Sequence, residues 1–153
     1  MIKVAINGFG RIGRLVFRIM ANDPEFDIVA INDLTDAEQL AYLLKYDTNH
    51  RNYNVDGISF VDNNIVVDGK KIPVYSSMDP SVLPWGELGV DVVFECSGKF
   101  TDKDKASLHI KAGAKKVIIS APAKGDLKTI VYNVNDDILT GEEEVISAAS
   151  CTT

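Results

Sequence analysis

The first 33 residues carry the pattern that most restricts the fold of this chain. A short apolar run at 2–6 leads into Asn-Gly-Phe-Gly-Arg-Ile-Gly-Arg at 7–14, and a second apolar run at 28–31 precedes Asp33. The three glycines make a complete G-x-G-x-x-G, and the aspartate follows the last of them by 20 positions (33 − 13). A strand, a glycine turn, a helix and a later acidic residue in this order form the dinucleotide-binding fingerprint.

Each of these positions has a physical role in binding a dinucleotide. Gly8 permits the tight turn, Gly10 lets backbone N–H groups approach a pyrophosphate, and Gly13 lets the helix pack closely on the strand. The helix N-terminus offers the phosphates its partial positive charge. Asp33 can accept hydrogen bonds from an adenosine ribose and repels a 2′-phosphate, so we expect NAD rather than NADP as the cofactor. A purely structural turn is the alternative for a bare glycine pattern, and the flanking elements favour a dinucleotide site.

The rest of the chain alternates apolar strand patterns with helix patterns. This alternation predicts an α/β fold with a doubly wound, mostly parallel sheet, which is a Rossmann-type domain. The first helix is expected to cover the sheet with an apolar stripe made of Ile12, Leu15, Val16, Ile19 and Met20. Thr-Asp-Ala-Glu at 35–38 forms a capping box and predicts the start of a second helix. Short β-rich pieces within 58–75, joined by turn residues, predict a small antiparallel meander inserted in the sheet.

The same alternation continues beyond the meander. The nearly unbroken apolar run at 90–94 predicts a central strand that is buried on both faces. A capping box at 101–104 predicts a helix that ends at Gly113. Three further strands are expected, at 117–119, 129–132 and 145–148. Because ligands of such sheets bind outside the carboxyl ends of the strands, we expect one groove lined by the polar residues at these ends. They are Asn7-Gly8, Asp33, Ser97-Gly98, Ser120-Ala121 and Ser150-Cys151.

The composition excludes several classes of protein. The chain has 153 residues, of which 46% are hydrophobic and 25% charged, as is ordinary for one soluble globular domain. The net charge of −6 argues against nucleic acid or a membrane as partner, and we expect no membrane span and no signal peptide. Two cysteines do not form a disulfide framework, which suits a reducing cytoplasm, and Cys96 is expected to be a small buried core residue. His50 and His109 lack further ligands at metal-binding spacing, so we expect no metal site.

The last seven residues carry a second specific motif. Ser-Ala-Ala-Ser-Cys-Thr-Thr at 147–153 resembles the active-site segment of the glyceraldehyde-3-phosphate dehydrogenases. Other stretches agree with that family, so the resemblance covers the whole chain. They are the glycine turn at 7–14, Ile-Asn-Asp at 31–33, Tyr-Asp at 46–47, Trp-Gly-Glu at 85–87, and Ala-Gly-Ala-Lys-Lys-Val-Ile-Ile-Ser-Ala-Pro at 112–122.

This resemblance implies a chemistry for the end of the chain. Cys151 corresponds to the nucleophile, whose thiolate adds to a phosphorylated aldehyde. A hydride then passes to the nicotinamide, and inorganic phosphate cleaves the resulting thioester to an acyl phosphate. The resemblance assigns this reaction to glycolysis. Ser150 and Thr152 match positions that bind phosphate near the thiol. The implied NAD-binding residues, beside the three glycines and Asp33, are Asn7, Arg11, Ile12, Ser97, Gly98 and Ser120. Arg14 is interpreted as a charge on the helix surface.

Three positions depart from the family pattern. Ala148 stands where an asparagine is common, Met78 stands where many members carry an arginine, and Asn133 replaces a usual glycine. The family's chain also extends well beyond residue 153, so residues 1–153 correspond to its NAD-binding domain, which ends at the cysteine segment. We therefore expect the catalytic domain, with the histidine base, to lie outside this chain.

Two expectations follow from this missing half. The chain is expected to bind NAD without turnover. It is also expected to expose an apolar sheet face that pairs with a second copy, as in a homo-oligomer, or with the missing C-terminal half. Two alternatives stay open, namely a related dehydrogenase of erythrose 4-phosphate and a non-catalytic module that binds NAD or a protein partner.

Overall fold

A computed structural model describes residues 2–21, 23–46, 57–97, 103–119, 128–129 and 145–147. The described strands are β1 (Ile2–Asn7), β2 (Phe26–Asn32), β3 (Ile58–Val61), β4 (Asn64–Val67), β5 (Lys70–Tyr75), β6 (Val92–Glu95), β7 (Lys116–Ile119), β8 (Lys128–Thr129) and β9 (Val145–Ser147). The described helices are α1 (Arg11–Ala21), α2 (Ala37–Lys45), α3 (Trp85–Leu88), α4 (Lys103–Ala106) and α5 (Leu108–Lys111), with a short 3-10 helix at Pro80–Val82. No helix within these ranges is both long enough and apolar enough to cross a membrane.

The nine described strands form one sheet in the order β3-β4-β5-β2-β1-β6-β7-β9-β8. All pairs from β5 to β8 along this order are parallel, whereas β3, β4 and β5 form an antiparallel meander. Both the doubly wound parallel sheet and the meander at 58–75 are therefore confirmed. β1 lies between β2 and β6, so the chain reverses its direction of winding beside β1, where ligands of such sheets bind.

Strand β5 connects the meander to the parallel sheet. It pairs antiparallel with β4 and parallel with β2, with Ile31 opposite Val74 and Asn32 opposite Tyr75. This register carries the chain after β5 to the carboxyl end of β2. The segment that follows Tyr75 therefore lies next to the glycine turn, although the two are far apart in sequence.

The core has two parts, one on each side of the sheet. The first joins α1, α2 and the meander; the second surrounds Trp85, which is fully buried. The predicted stripe of α1 is wrong at Ile19, which is 65% exposed, whereas Phe17 and Arg18 are buried. Arg18 can be buried because its Nη2 donates a hydrogen bond to the carbonyl of Leu44, 2.8 Å away. That bond connects the end of α1 to the end of α2.

Three further local predictions differ from the structure. The N-cap of α2 is Asp36 and not Thr35, since the Asp36 side chain accepts from the N–H of Gln39. The backbone N–H of Thr35 donates to Oδ1 of Asp33. The helix expected up to Gly113 is two short helices, α4 and α5, separated at Ser107. Strand β6 is not equally buried on both faces, since Val93 and Glu95 are buried and their neighbours in the strand are half-buried. The capping box at 101–102 and the strand residues at 130–132 and 148 lie outside the described residues.

Candidate functional site

A cavity of about 390 Å³ lies at the carboxyl ends of β1, β2 and β6. Its walls come from the glycine turn, from the ends of these three strands and from the segment after β5. The lining residues are Asn7, Gly8, Gly10, Asn32, Asp33, Leu34, Ser77, Met78, Cys96 and Ser97. The cavity therefore occupies the place where the sequence predicts a groove.

The glycine turn is closed on its inner side and open toward the cavity. Gly8 has a φ of +92°, and a Cβ there would lie 2.5 Å from the backbone nitrogen of Ser97, so only glycine fits. A Cβ on Gly13 would overlap the carbonyl oxygen of Gly8, which confirms the close approach of α1 to the strand. A Cβ on Gly10, by contrast, would meet nothing within 4 Å. Gly10 thus leaves room at the N-terminus of α1, on the side where an anion can approach the backbone.

The carboxylate of Asp33 is held by the backbone on both of its oxygens. Oδ2 accepts from the N–H of Phe9 at 2.7 Å, and Oδ1 accepts from the N–H of Thr35 at 2.9 Å. The N–H of Asp33 itself donates to the carbonyl of Tyr75 at 2.8 Å. Each carboxylate oxygen can accept further hydrogen bonds, so the side chain can hold ribose hydroxyls in a fixed position. The same fixed negative charge opposes a phosphate at the 2′ position.

Two asparagine side chains connect the ends of the three strands beneath the cavity. The Asn32 amide nitrogen donates to the Asn7 side-chain oxygen at 2.7 Å and to the carbonyl of Ser77 at 3.0 Å. The N–H of Ser77 returns a hydrogen bond to the Asn32 side-chain oxygen at 3.0 Å. The Asn7 amide nitrogen donates to Oε2 of Glu95 at 2.6 Å. The floor of the cavity is therefore a continuous hydrogen-bonded layer.

Glu95 lies below this layer and is 1% exposed. Its Oε1 accepts from the N–H of Ser97 at 3.1 Å and also from the Ser97 hydroxyl. Its Oε2 lies 2.6 Å from Nε2 of His109, and Nδ1 of that histidine lies 3.0 Å from the indole nitrogen of Trp85. The sequence gives no hint of this cluster, because its members come from β1, β6, α3 and α5 and approach one another only after the sheet forms.

The structure brings together five of the predicted cofactor residues at the cavity: Asn7, Gly8, Gly10, Asp33 and Ser97. Gly13 lies behind the turn. Arg11 is exposed and Ile12 is half-buried, and neither lines the cavity. Arg14 is more than a surface charge, since it is half-buried and its Nη1 donates to the carbonyl of Phe9 at 3.2 Å. The remaining predicted site residues, Gly98, Ser120, Ser150, Cys151 and Thr152, lie outside the described residues.

Several residues of the cavity were not predicted as part of it. Cys96 packs against the first part of the core, as expected of a core cysteine, but it is only half-buried and also lines the cavity, because it follows Glu95 at the carboxyl end of β6. Asn32 and Ser77 line the cavity together because β2 pairs with β5, which brings the segment after β5 beside the end of β2. Leu34 and Met78 are 55% and 75% exposed and line the cavity together with Asp33. The sequence signals for these two residues are the position of Leu34 directly after Asp33 and the position of Met78 where many family members carry an arginine.

Comparison with known proteins agrees with this geometry. Residues 2–103 match the family model described as "Glyceraldehyde 3-phosphate dehydrogenase, NAD binding domain". The chain is 59% identical over 153 residues to a protein of Clostridium pasteurianum, and 54% identical to proteins of Thermotoga maritima over 155 residues and of Mycoplasma pneumoniae over 153. Each is named glyceraldehyde-3-phosphate dehydrogenase. These alignments cover 99–100% of this chain and 45–46% of each relative, so the chain spans about half the length of the curated relatives it matches.

Proposed function

Since the chain belongs to the family of glyceraldehyde 3-phosphate dehydrogenase NAD-binding domains, we propose that it is the cofactor-binding part of an NAD-dependent, phosphorylating aldehyde dehydrogenase. The observation that carries this proposal is the cavity beside β1, where an open glycine turn faces a carboxylate held by two backbone N–H groups. A pyrophosphate and a ribose of one dinucleotide need these two features side by side. NAD is therefore the proposed ligand of this cavity.

The residues of the cavity fit NAD by chemical type. Gly8 forms the tight turn, with its own N–H donated to the carbonyl of Asn32, and Gly10 leaves the backbone at the start of α1 open to the pyrophosphate. Asp33 accepts hydrogen bonds from the adenosine ribose. Leu34 and Met78 offer apolar surface next to Asp33, suited to a flat base. Arg11 and Ile12 border the same turn, while Gly98 and Ser120 are assigned to the groove through the family resemblance.

The proposed reaction takes place at Cys151, which lies outside the described residues. When bound, NAD supplies the hydride acceptor that oxidises the aldehyde carbon. The Cys151 thiolate forms a C–S bond to that carbon, so the oxidised product is a thioester on the cysteine. A phosphate oxygen then attacks the thioester carbon, the C–S bond breaks and the acyl phosphate leaves, which regenerates the thiolate. From the family resemblance, we propose that Ser150 and Thr152 hold phosphate beside the sulfur. We also propose that the reaction belongs to glycolysis and takes place in the cytoplasm.

We further propose that these 153 residues bind NAD but do not turn over alone. Only a small fraction of an unassisted thiol is ionised at pH 7, and a nucleophilic cysteine needs a base next to it. His109 does not serve this role, since it is 0% exposed and both of its ring nitrogens lie within hydrogen-bonding distance of Glu95 and Trp85. His50 lies outside the described residues and matches no catalytic motif.

Titration calorimetry with NAD and NADP tests the cofactor assignment. We expect NAD to bind and NADP to bind more weakly, and we expect Asp33→Ala to weaken NAD binding and to narrow the difference between the two cofactors. Asp36→Ala serves as a matched control, since it removes an exposed carboxylate that caps α2 without lining the cavity. Tighter binding of NADP by the unmodified chain would contradict the role of Asp33.

Alkylation with iodoacetamide distinguishes an enzyme from a binding module. In an enzyme of this family Cys151 is expected to react much faster than Cys96, whereas equal and slow reaction of both supports a module that only binds NAD. A rate with aldehyde, NAD and phosphate equal to that of a complete family enzyme would contradict the proposal that the chain does not turn over alone.

One face of the sheet supports the proposed pairing with another chain. Ile6, Phe94, Ile118 and Ile146 are opposite one another across four parallel strands, so their side chains point to the same side. Ile6 is buried beneath α1, while the other three are only half-buried. We propose that a second copy or a C-terminal half covers this row. A monomer at every concentration in sedimentation runs would count against pairing of copies.

A further inference from the structure

Three fully buried polar side chains lie directly beneath the proposed NAD cavity. Trp85 and His109 are 0% exposed, and Glu95 is 1% exposed. They are connected through Asn7 and Ser97, both of which line the cavity. The direction of each hydrogen bond in this cluster can be derived from groups that are able to play only one role.

The first such group is the backbone of Ser77. Its N–H can only donate, so the Asn32 side-chain oxygen must face it. Its carbonyl can only accept, so the Asn32 amide nitrogen must face that carbonyl. The same Asn32 nitrogen then donates to the Asn7 oxygen. The Asn7 nitrogen is consequently the atom that points at Oε2 of Glu95, and it can only donate.

The second such group is the indole N–H of Trp85, which is a donor only. Nδ1 of His109 must accept that hydrogen bond, so its proton resides on Nε2 when the ring is neutral. Nε2–H then donates to Oε2 of Glu95. On the other side, the backbone N–H of Ser97 donates to Oε1. Within the described residues, each carboxylate oxygen therefore faces at least one group that can only donate: the Asn7 amide at Oε2 and the Ser97 backbone N–H at Oε1.

We propose that Glu95 is a positioning residue for the NAD cavity, with His109 as its support. The inference rests on the proposed binding of NAD in that cavity. The buried carboxylate acts as an obligatory acceptor that holds the Asn7 amide and the Ser97 backbone in one arrangement before the cofactor arrives. Because Asn7 ends β1 and Ser97 follows β6, the carboxylate also joins the two strand ends between which the cavity opens.

Glu95→Gln is the sharpest test, because it keeps the size of the side chain and changes only its polarity. A glutamine nitrogen must face either the Asn7 and His109 donors or the Ser97 N–H, so a donor meets a donor in both orientations. The pairs cannot simply reverse, since Ser77 and Trp85 determine their direction. We expect the variant to bind NAD about tenfold more weakly or worse in calorimetry, because a buried donor is left without an acceptor.

A matched control separates positioning from general loss of stability. Ile65→Ala creates a cavity in the core beside the meander, on a residue that is 0% exposed and does not line the NAD site. Under conditions where circular dichroism shows both variants folded, we expect this control to keep its NAD affinity within about twofold. Equal NAD affinity of Glu95→Gln and the wild type, or an equal loss in both variants, would overturn the positioning role.

A second variant keeps the test decisive if Glu95→Gln does not fold. His109→Phe keeps a ring in place and removes the donor to Glu95 and the acceptor for Trp85. We expect weaker NAD binding together with a changed emission of Trp85, the single tryptophan of the chain. Unchanged NAD affinity in His109→Phe refutes the inference, whereas absence of NAD binding by the wild type refutes the proposed function itself and the inference with it.

Discussion

Replacing Gly8 by alanine tests how tightly the glycine turn is packed against the end of β6. The new Cβ would lie 2.5 Å from the Ser97 nitrogen, 2.6 Å from the Ser97 Cα and 2.8 Å from the Cys96 carbonyl carbon. All three neighbours are backbone atoms, so no side chain can rotate away. The residue would also have to remain at a φ of +92°, a conformation that L-residues rarely adopt.

The expected loss of stability can be worked from these two effects. A non-glycine residue at positive φ costs about 1–2 kcal/mol, and overpacking costs about 1–3 kcal/mol. The smaller entropy of the unfolded alanine chain returns about 0.4–1 kcal/mol. We therefore expect Gly8→Ala to lower the free energy of unfolding by about 3 kcal/mol. Urea denaturation followed by Trp85 fluorescence and by circular dichroism measures this value.

Gly10→Ala is the matched control for this experiment. Its Cβ meets nothing within 4 Å, so the free energy of unfolding should change by less than about 1 kcal/mol. The methyl group would nevertheless occupy the space through which a pyrophosphate reaches the backbone, so NAD affinity should fall about tenfold. A Gly8→Ala variant as stable as the wild type would refute the packing argument. A Gly10→Ala variant with unchanged NAD affinity would refute the placement of the pyrophosphate.

Three further predictions concern charge and exposure. The pKa of Asp91 is lowered, chiefly by the hydrogen bond from the N–H of Lys3 and also by the side chain of Lys115. The ionised carboxylate therefore stabilises the fold at pH values above the ordinary pKa of aspartate, and this contribution disappears as the pH falls through the lowered pKa. Asp91→Asn should therefore be less stable than the wild type at pH 7, and urea titrations should show the difference vanishing in acid; a constant difference contradicts this. Met78→Arg adds a cation at the cavity wall, so it should tighten NAD binding at low salt, and this gain in affinity should disappear at high salt. Calorimetry at two ionic strengths measures the difference. NAD should slow the alkylation of Cys96, measured by mass spectrometry, since that thiol lines the cavity; unaltered reactivity would place the cofactor elsewhere.

The parts of the fold that depend on local patterns could be predicted from the sequence. The glycine turn needs a residue without Cβ at Gly8 and Gly13, and the meander needs turn residues between short β-rich pieces. Errors arose where tertiary contacts decide the outcome. Ile19 matches the helical spacing yet is exposed, and Arg18 is buried because its guanidinium reaches a carbonyl of another helix.

The candidate site could be predicted only where it follows directly from strand ends. Asn7 ends β1 and Asp33 directly follows β2, so their position is evident from the pattern of apolar runs. Ser77 reaches the cavity through the pairing of β2 with β5, and Glu95 meets Asn7 across 88 positions of sequence. Such meetings depend on strand order and register, which a single sequence does not specify.

Strand β5 pairs antiparallel with β4 and parallel with β2, and this double pairing has a practical consequence for protein engineering. The turn at Asp68 and Gly69 lies at the far tip of the meander, is exposed, and leaves open space around Gly69. Foreign peptide spliced in at that tip, such as an epitope or a short fluorophore-binding tag, would project away from the nucleotide site. The register of Ile31 with Val74 would keep the Ser77 segment where it is. The tip of the meander is thus a suitable position for a label that leaves the nucleotide site undisturbed.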